Sequence, residues 1–136
     1  MVFKLHVDSD VELRLLRGDQ SAMVYYEVER SRNHLREWMP WLDRTRSPRD
    51  TKPFLEQSWK GYQKGEGFSL GIFYETEFAG MIGFHAFDNL NRVTSLGYWL
   101  GQGFEGRGIM IRSVRKLLAY AFQERNMNRL YIRCAS

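Results

Sequence analysis

Cysteine, proline and histidine are scarce in these 136 residues, at one, three and three, and the shortages exclude whole classes of function. The single Cys134 rules out an internal disulfide and a cysteine zinc site, and it suits a reducing, cytoplasmic setting. His6, His34 and His85 stand at no ligand spacing, so no metal is expected. No apolar run approaches the ~20 residues that cross a bilayer, and the opening MVFKLHVDSD lacks the apolar stretch of a signal peptide. No membrane partner is therefore expected. Repeats and low-complexity segments are also missing. What is there, 43% hydrophobic and 15% aromatic, is a globular composition, and the length suits one domain over 1–136 with its own core.

Charge is unevenly placed. Residues 107–136 hold seven Lys and Arg against one acid, Glu124, whereas residues 1–106 hold thirteen against fifteen. The bases of the positive end are scattered at helical spacing and form no nucleic-acid motif, so no nucleic-acid partner is expected. An anionic cofactor suits the asymmetry better.

Along the chain, Val11, Leu13 and Leu15 alternate with Glu12 and Arg14 and predict a first strand after a polar lead-in. Gly18-Asp19 stops it, with Asp19 as N-cap of a helix to about Glu29, and Asn33 caps a second short helix that Pro40 ends. Trp38, Met39, Trp41 and Leu42 form an apolar corner, either a plug for the core or a wall of a binding cleft. Ser47 to Asp50 read as a loop and Thr51 as the cap of the next helix, with Pro53 in its first turn. Phe54, Leu55, Ser58, Trp59 and Tyr62 fall on one face of that helix. Strands follow at 68–75 and 78–87, joined tightly at Thr76, and another starts at Val93. This order predicts an α+β fold.

The most informative stretch runs from Leu96 to Arg125. Leu96, Tyr98 and Leu100 alternate as in a strand, and glycines follow at 101, 103, 106 and 108, too close together for a regular element. From Ile109 the period becomes helical, with Ile111, Val114, Leu117, Leu118, Ala121 and Phe122 on one face. The first N–H groups of a helix have no partner inside it, and a glycine turn before them lets a phosphate approach the main chain. Gly106, Gly108 and the N–H groups of 107–110 are placed to hold a phosphate or pyrophosphate. A Walker loop is excluded, because Ile109 and Met110 stand where Lys and Ser/Thr are required. Gly101-x-Gly103-x-x-Gly106 matches a dinucleotide fingerprint, but no acid ends the next strand. A kinase glycine loop lies between two strands, and here a helix follows.

Gly106-Arg107-Gly108-Ile109, after Tyr98-Trp99-Leu100, resembles the coenzyme A pyrophosphate loop of GNAT-superfamily N-acetyltransferases, Gln/Arg-x-x-Gly-x-Gly/Ala. Gly106 and Gly108 match its last two anchors; the first falls on Gly103, with Gln102 one residue early. The LGYWL strand and the block HLREWMPWLD at 34–43 are similar to the RimJ/RimL-like branch, which acetylates N-terminal amines of ribosomal proteins. The resemblance implies a GNAT fold, a mixed and mostly antiparallel sheet flanked by helices, with acetyl-CoA as co-substrate. It implies an acceptor that is a protein N-terminal amine, with a small-molecule amine or antibiotic, or a non-catalytic CoA-binding role, as alternatives.

The same resemblance implies which residues meet these ligands. Tyr98, Trp99 and Leu100 would flank the thioester, with a backbone N–H among them donating to its oxygen. Gln102, Gly103, Phe104 and Glu105 would lead into the phosphate cradle of Gly106, Arg107, Gly108, Ile109 and Met110. Trp38, Met39 and Trp41 would line the acceptor cleft. Where the family often carries an acid, two residues before the Gly-Tyr pair, this chain has Ser95. His85, on the neighbouring strand, is of the type that exchanges protons near neutral pH and is a candidate proton carrier, with Ser95 as a candidate water holder. In the family a helix and two strands follow the strand at Leu130–Cys134. The chain is therefore expected to be truncated after its fifth strand, with an open sheet edge that favours a homo-oligomer.

Overall fold

The computed structural model describes residues 3–36 and 39–133. Trp38 and Cys134 lie outside them. Six strands form one sheet in chain order: β1 (Lys4–His6), β2 (Val11–Leu15), β3 (Ser69–Tyr74), β4 (Glu77–Asp88), β5 (Val93–Leu100) and β6 (Arg129–Arg133). Every pairing is antiparallel except β5 with β6. The β3–β4 link has positive φ at both Glu75 (48°) and Thr76 (72°), a two-residue turn whose twist matches that of the strands. A parallel pair cannot be closed by a hairpin, so the chain crosses from β5 to β6 through helix α4 (Ile109–Gln123).

The sheet buries both faces. One face carries Met81 and Trp99 and packs under α1 (Ser21–Arg30), α2 (Arg32–Leu35) and α3 (Pro48–Gln63) through Val24, Val28, Leu35 and Leu55. The opposite face carries Ile82, Phe84 and Leu96 against Ile109, Leu117 and Ala121 of α4. In β2 the expected alternation holds: Val11, Leu13 and Leu15 are buried and Glu12 and Arg14 half-buried. No helix among the described residues is long and apolar enough to cross a membrane.

Several local expectations are corrected. β1 precedes the first expected strand, pairing Leu5 with Leu13, so the strand at 129–133 is the sixth; three residues are too few to show a period. Asp19 caps no helix. A 3-10 turn at Gly18–Gln20 leads into α1, with the Arg17 N–H donating to Gln20 Oε1 at 2.8 Å. Asn33 lies inside α2, and Pro40 opens a 3-10 turn, Pro40–Arg44, rather than ending a helix. α3 begins at Pro48 instead of after Thr51, because proline suits a first helical position where no N–H is needed. On α4 the inward residues are Ile109, Ser113, Leu117 and Ala121, whereas Ile111 and Phe122 are 57% and 43% exposed. Ser113 takes a core position because its hydroxyl donates to the Ile109 carbonyl at 2.8 Å, a pairing that a count of apolar residues misses.

Leu117 is fully buried between α4 and the sheet. Leu117→Ala is expected to cost about 2–5 kcal/mol of stability, read as a lower urea midpoint at unchanged slope.

Candidate active site

β5 ends in a loop that keeps its N–H groups free. The Gly101 N–H donates to the Ala79 carbonyl at 2.7 Å, and the chain then turns so that the Phe104 N–H reaches the Gly101 carbonyl at 3.2 Å. Phe104 is buried and pins the loop to the core, edge-on to Tyr74. Gly106 (φ 78°) and Gly108 (φ 69°, the N-cap of α4) take left-handed conformations that a side chain resists. The first helical bond of α4 runs from the Arg112 N–H to the Gly108 carbonyl at 3.2 Å. Among the described residues nothing accepts from the N–H groups of 106–111, and a Cβ at Gly106 would meet nothing within 4 Å. This is an open, electropositive cradle at a helix N-terminus, and it fits a pyrophosphate.

The cradle is tied down from two sides. On the α1 side, the buried Glu27 carboxylate accepts from Arg30 Nη2 (2.7 Å), Arg30 Nε (3.2 Å) and the Ser31 hydroxyl (3.1 Å). Arg30 and Ser31 in turn hold Gln102, whose carbonyl accepts from Arg30 at 2.6 Å and whose N–H donates to Ser31 Oγ at 2.8 Å. On the other side Arg112 donates to the carbonyls of Arg107 (3.0 Å) and Gly108 (3.2 Å) and to Asp8 (2.7 Å) and Asp10 (2.6 Å) of the β1–β2 hairpin. A hydrogen bond shared with Asp10, then the Arg112 guanidinium, hold the Asp8 carboxyl down at about 2. His34 Nε2 lies 2.8 Å from Glu105 Oε1, a third tie to the loop from α2.

Beside the end of β5 lies a cleft of about 620 Å³. Its floor is the sheet at Met81, Gly83, His85, Gly97 and Trp99, and its walls come from α1, Met39 and the start of α3. The β4–β5 register shifts between Phe84 and Phe87, so that His85 and Ala86 together face Ser95. Such a bulge re-aims a side chain. Here it turns His85 towards Ser95, with Nδ1 2.9 Å from Ser95 Oγ, while Thr94 Oγ1 donates to the freed Ala86 carbonyl at 2.6 Å. The other ring nitrogen of His85 lies over Gly97, where a Cβ would stand 2.8 Å from it. Glycine at 97 is what leaves room for the imidazole.

The structure thus brings His85 and Ser95 together and sets Met39, Tyr98 and Trp99 around the same cleft. Of the expected loop contacts, Gly106, Arg107, Gly108 and Met110 lie in or beside the cradle. Phe104 and Ile109 serve the core beneath it, and Gln102 has given its N–H to Ser31. Gly103, with φ 97°, bends the loop, and Glu105 pairs with His34. Leu100 is the last residue of β5, half-buried beside the core. Trp38 falls outside the described residues, and the Trp41 side chain is likewise not described. Asp8, Asp10, Glu27, Arg30, Ser31 and Arg112 were not anticipated. Their partners stand as far as 104 residues away, beyond the reach of any local pattern.

Gly106→Glu is expected to weaken acetyl-CoA binding at least about a hundredfold by calorimetry, because it sets a carboxylate where phosphate charge must sit. Gly106→Ala, which carries only the cost of positive φ, is expected to lose far less. Asp8, with its pKa depressed from 3.8, supports the hairpin–loop clamp in full above that pH, and the support fades as pH falls through about 2. Acid unfolding of Asp8→Asn is therefore expected to differ from the parent near pH 5 and to converge with it near pH 2.

The acetyltransferase (GNAT) domain family matches residues 10–136. The chain is 29% identical over 136 residues to a putative ribosomal N-acetyltransferase, YdaF, of Bacillus subtilis, covering 99% of this chain and 74% of that one. It is 25% identical over 134 residues to the ribosomal-protein-serine acetyltransferase of Escherichia coli, covering 98% and 75%. Among solved structures, RimL, a ribosomal L7/L12 alpha-N-protein acetyltransferase in complex with coenzyme A, superposes with a TM-score of 0.91 at 25% identity, covering 97% and 75%. With a phosphate cradle, an adjoining cleft and a match over nearly its whole length, the chain belongs to the GNAT acetyltransferase family and is an N-acetyltransferase that uses acetyl-CoA.

Proposed function

We propose that the acceptor is the α-amino group of a protein N-terminus, of the ribosomal-protein kind acted on by the relatives named above. The observation that carries this reading is the meeting, at the end of β5, of a pyrophosphate cradle with a cleft open enough for a chain terminus. Such an acceptor places the enzyme in the cytoplasm, where ribosomal proteins are made.

The chemistry follows from the strand ends. Within the described residues β6 pairs with β5 over Val93–Gly97. Successive N–H groups of a strand point to opposite sides. Since the Gly101 N–H faces Ala79 on β4, the Leu100 N–H points away from β4 and is the donor for the thioester oxygen as charge builds there. The acceptor amine enters the cleft beside the His85 ring. In the tautomer whose Nδ1–H donates to Ser95, His85 Nε2 is the acceptor for the amine's proton, and direct attack on the thioester carbon expels the CoA thiolate.

Incubation with acetyl-CoA and a peptide bearing an N-terminal serine is expected to release CoA and to give a peptide acetylated at its α-amine by mass spectrometry. Peptides left unmodified while small amines turn over would sink this reading. His85→Ala is expected to lower kcat by about a hundredfold while the KM for acetyl-CoA moves little, and an unchanged kcat would remove His85 from proton transfer.

A further inference from the structure

Ser69 opens β3 on the floor of the cleft that holds His85 and Trp99, and it is half-buried there. Its main chain is already spent on α3. The Ser69 N–H donates to Ser58 Oγ at 2.7 Å, and the Ser58 hydroxyl donates to the Ser69 carbonyl at 2.9 Å. The Ser69 hydroxyl itself makes no hydrogen bond among the described residues. Nor is it sealed in, because the side-chain oxygen that is both buried and unpaired among those residues belongs to Thr51. A pair of glycines fixes where the hydroxyl stands. Gly83 lies opposite Ser69 on one side and opposite Gly97 on the other. A Cβ at Gly83 would collide with Ser69 Oγ, and one at Gly97 would stand 2.8 Å from the His85 ring. Residues directly opposite each other point to one face of a sheet. The hydroxyl and the imidazole therefore fill neighbouring clearings on the cleft side.

Opposed positions on adjacent strands are about 5 Å apart. An α-amino group and the carbonyl oxygen of its own residue, three bonds away, can reach both clearings at once. The amine then meets His85 and the carbonyl meets Ser69. The walls nearby are apolar, from Val24, Val28, Met39 and Phe54, and the exposed Asp50 carboxylate has no proton to donate to a carbonyl. We infer that Ser69 positions the acceptor, donating from its hydroxyl to the carbonyl of the acceptor's first residue while His85 takes the proton of the amine. A simple alkylamine has no carbonyl to offer, and a lysine side chain carries its amine several bonds further from one. Ser69 thus favours α-amines. This rests on the N-terminal acceptor reading above and names the group that enforces it.

The test measures kcat and KM for a peptide with a free N-terminus and for pentylamine, which lacks the carbonyl, with the parent, Ser69→Ala and Ser69→Thr. Melting temperatures establish that each variant folds. The parent is expected to use pentylamine at least about tenfold less efficiently than the peptide. Ser69→Ala is expected to raise the KM for the peptide about tenfold, with the KM for acetyl-CoA and the use of pentylamine unchanged. Ser69→Thr keeps a hydroxyl and is expected to stay within about threefold of the parent. A peptide KM that does not move in Ser69→Ala overturns the assignment. So does an equal loss for both acceptors, or a loss as deep in Ser69→Thr as in Ser69→Ala, since either gives Ser69 a structural role instead. If the folded parent binds acetyl-CoA yet acetylates no peptide, the N-terminal acceptor reading fails first and takes this inference with it.

Discussion

A helix N-terminus holds a phosphate only while its N–H groups stay unpaired, and a loop of unpaired N–H groups collapses unless its carbonyls are held elsewhere. Both requirements are met around residues 101–112. Arg112 collects the carbonyls of Arg107 and Gly108, and Arg30 collects that of Gln102. With the oxygens held in this way, the N–H groups of 106–111 are left without an acceptor among the described residues. Arg112 spends its charge on Asp8 and Asp10 instead of competing for the cofactor, and Arg30 does likewise with Glu27. Both arginines therefore act as struts. The hairpin and α1 thus hold the cradle although neither bonds to the N–H groups of 106–111.

Pre-organisation of this kind lowers the ordering cost of binding, since the loop is already shaped before the cofactor arrives. Its cost is a carboxylate brought into the interior at Glu27, tolerable because Arg30 and Ser31 meet both of its oxygens. The cleft beside the cradle is shaped by a second local irregularity, the bulge in β4. An unbroken ladder would keep His85 in plain alternation; the extra residue sets it against Ser95, and Thr94 repairs the lost carbonyl pairing. The result is a histidine and a serine from two strands in contact.

The cradle was legible in the residues themselves. Closely spaced glycines, a change of period at Ile109 and unpaired N–H groups at a helix start are backbone properties, set within a dozen residues. The strands from Val11, Phe68, Phe78 and Val93 were legible for the same reason, as was the α+β order. Caps and helix starts were less so, because Asp19, Asn33 and Thr51 are chemically able to cap, and tertiary packing chose Gln20 and Pro48 for the turns instead.

What only the tertiary structure decided is which distant groups meet. The His85–Ser95 contact depends on a register shift, and the Arg112 clamp joins residues 104 apart. None of these leaves a period or a motif in the chain, because each arises from how finished elements pack. The residues alone determined a family, a fold and a glycine-rich helix start, since those follow from local backbone chemistry; the sheet and its helices determined the cleft.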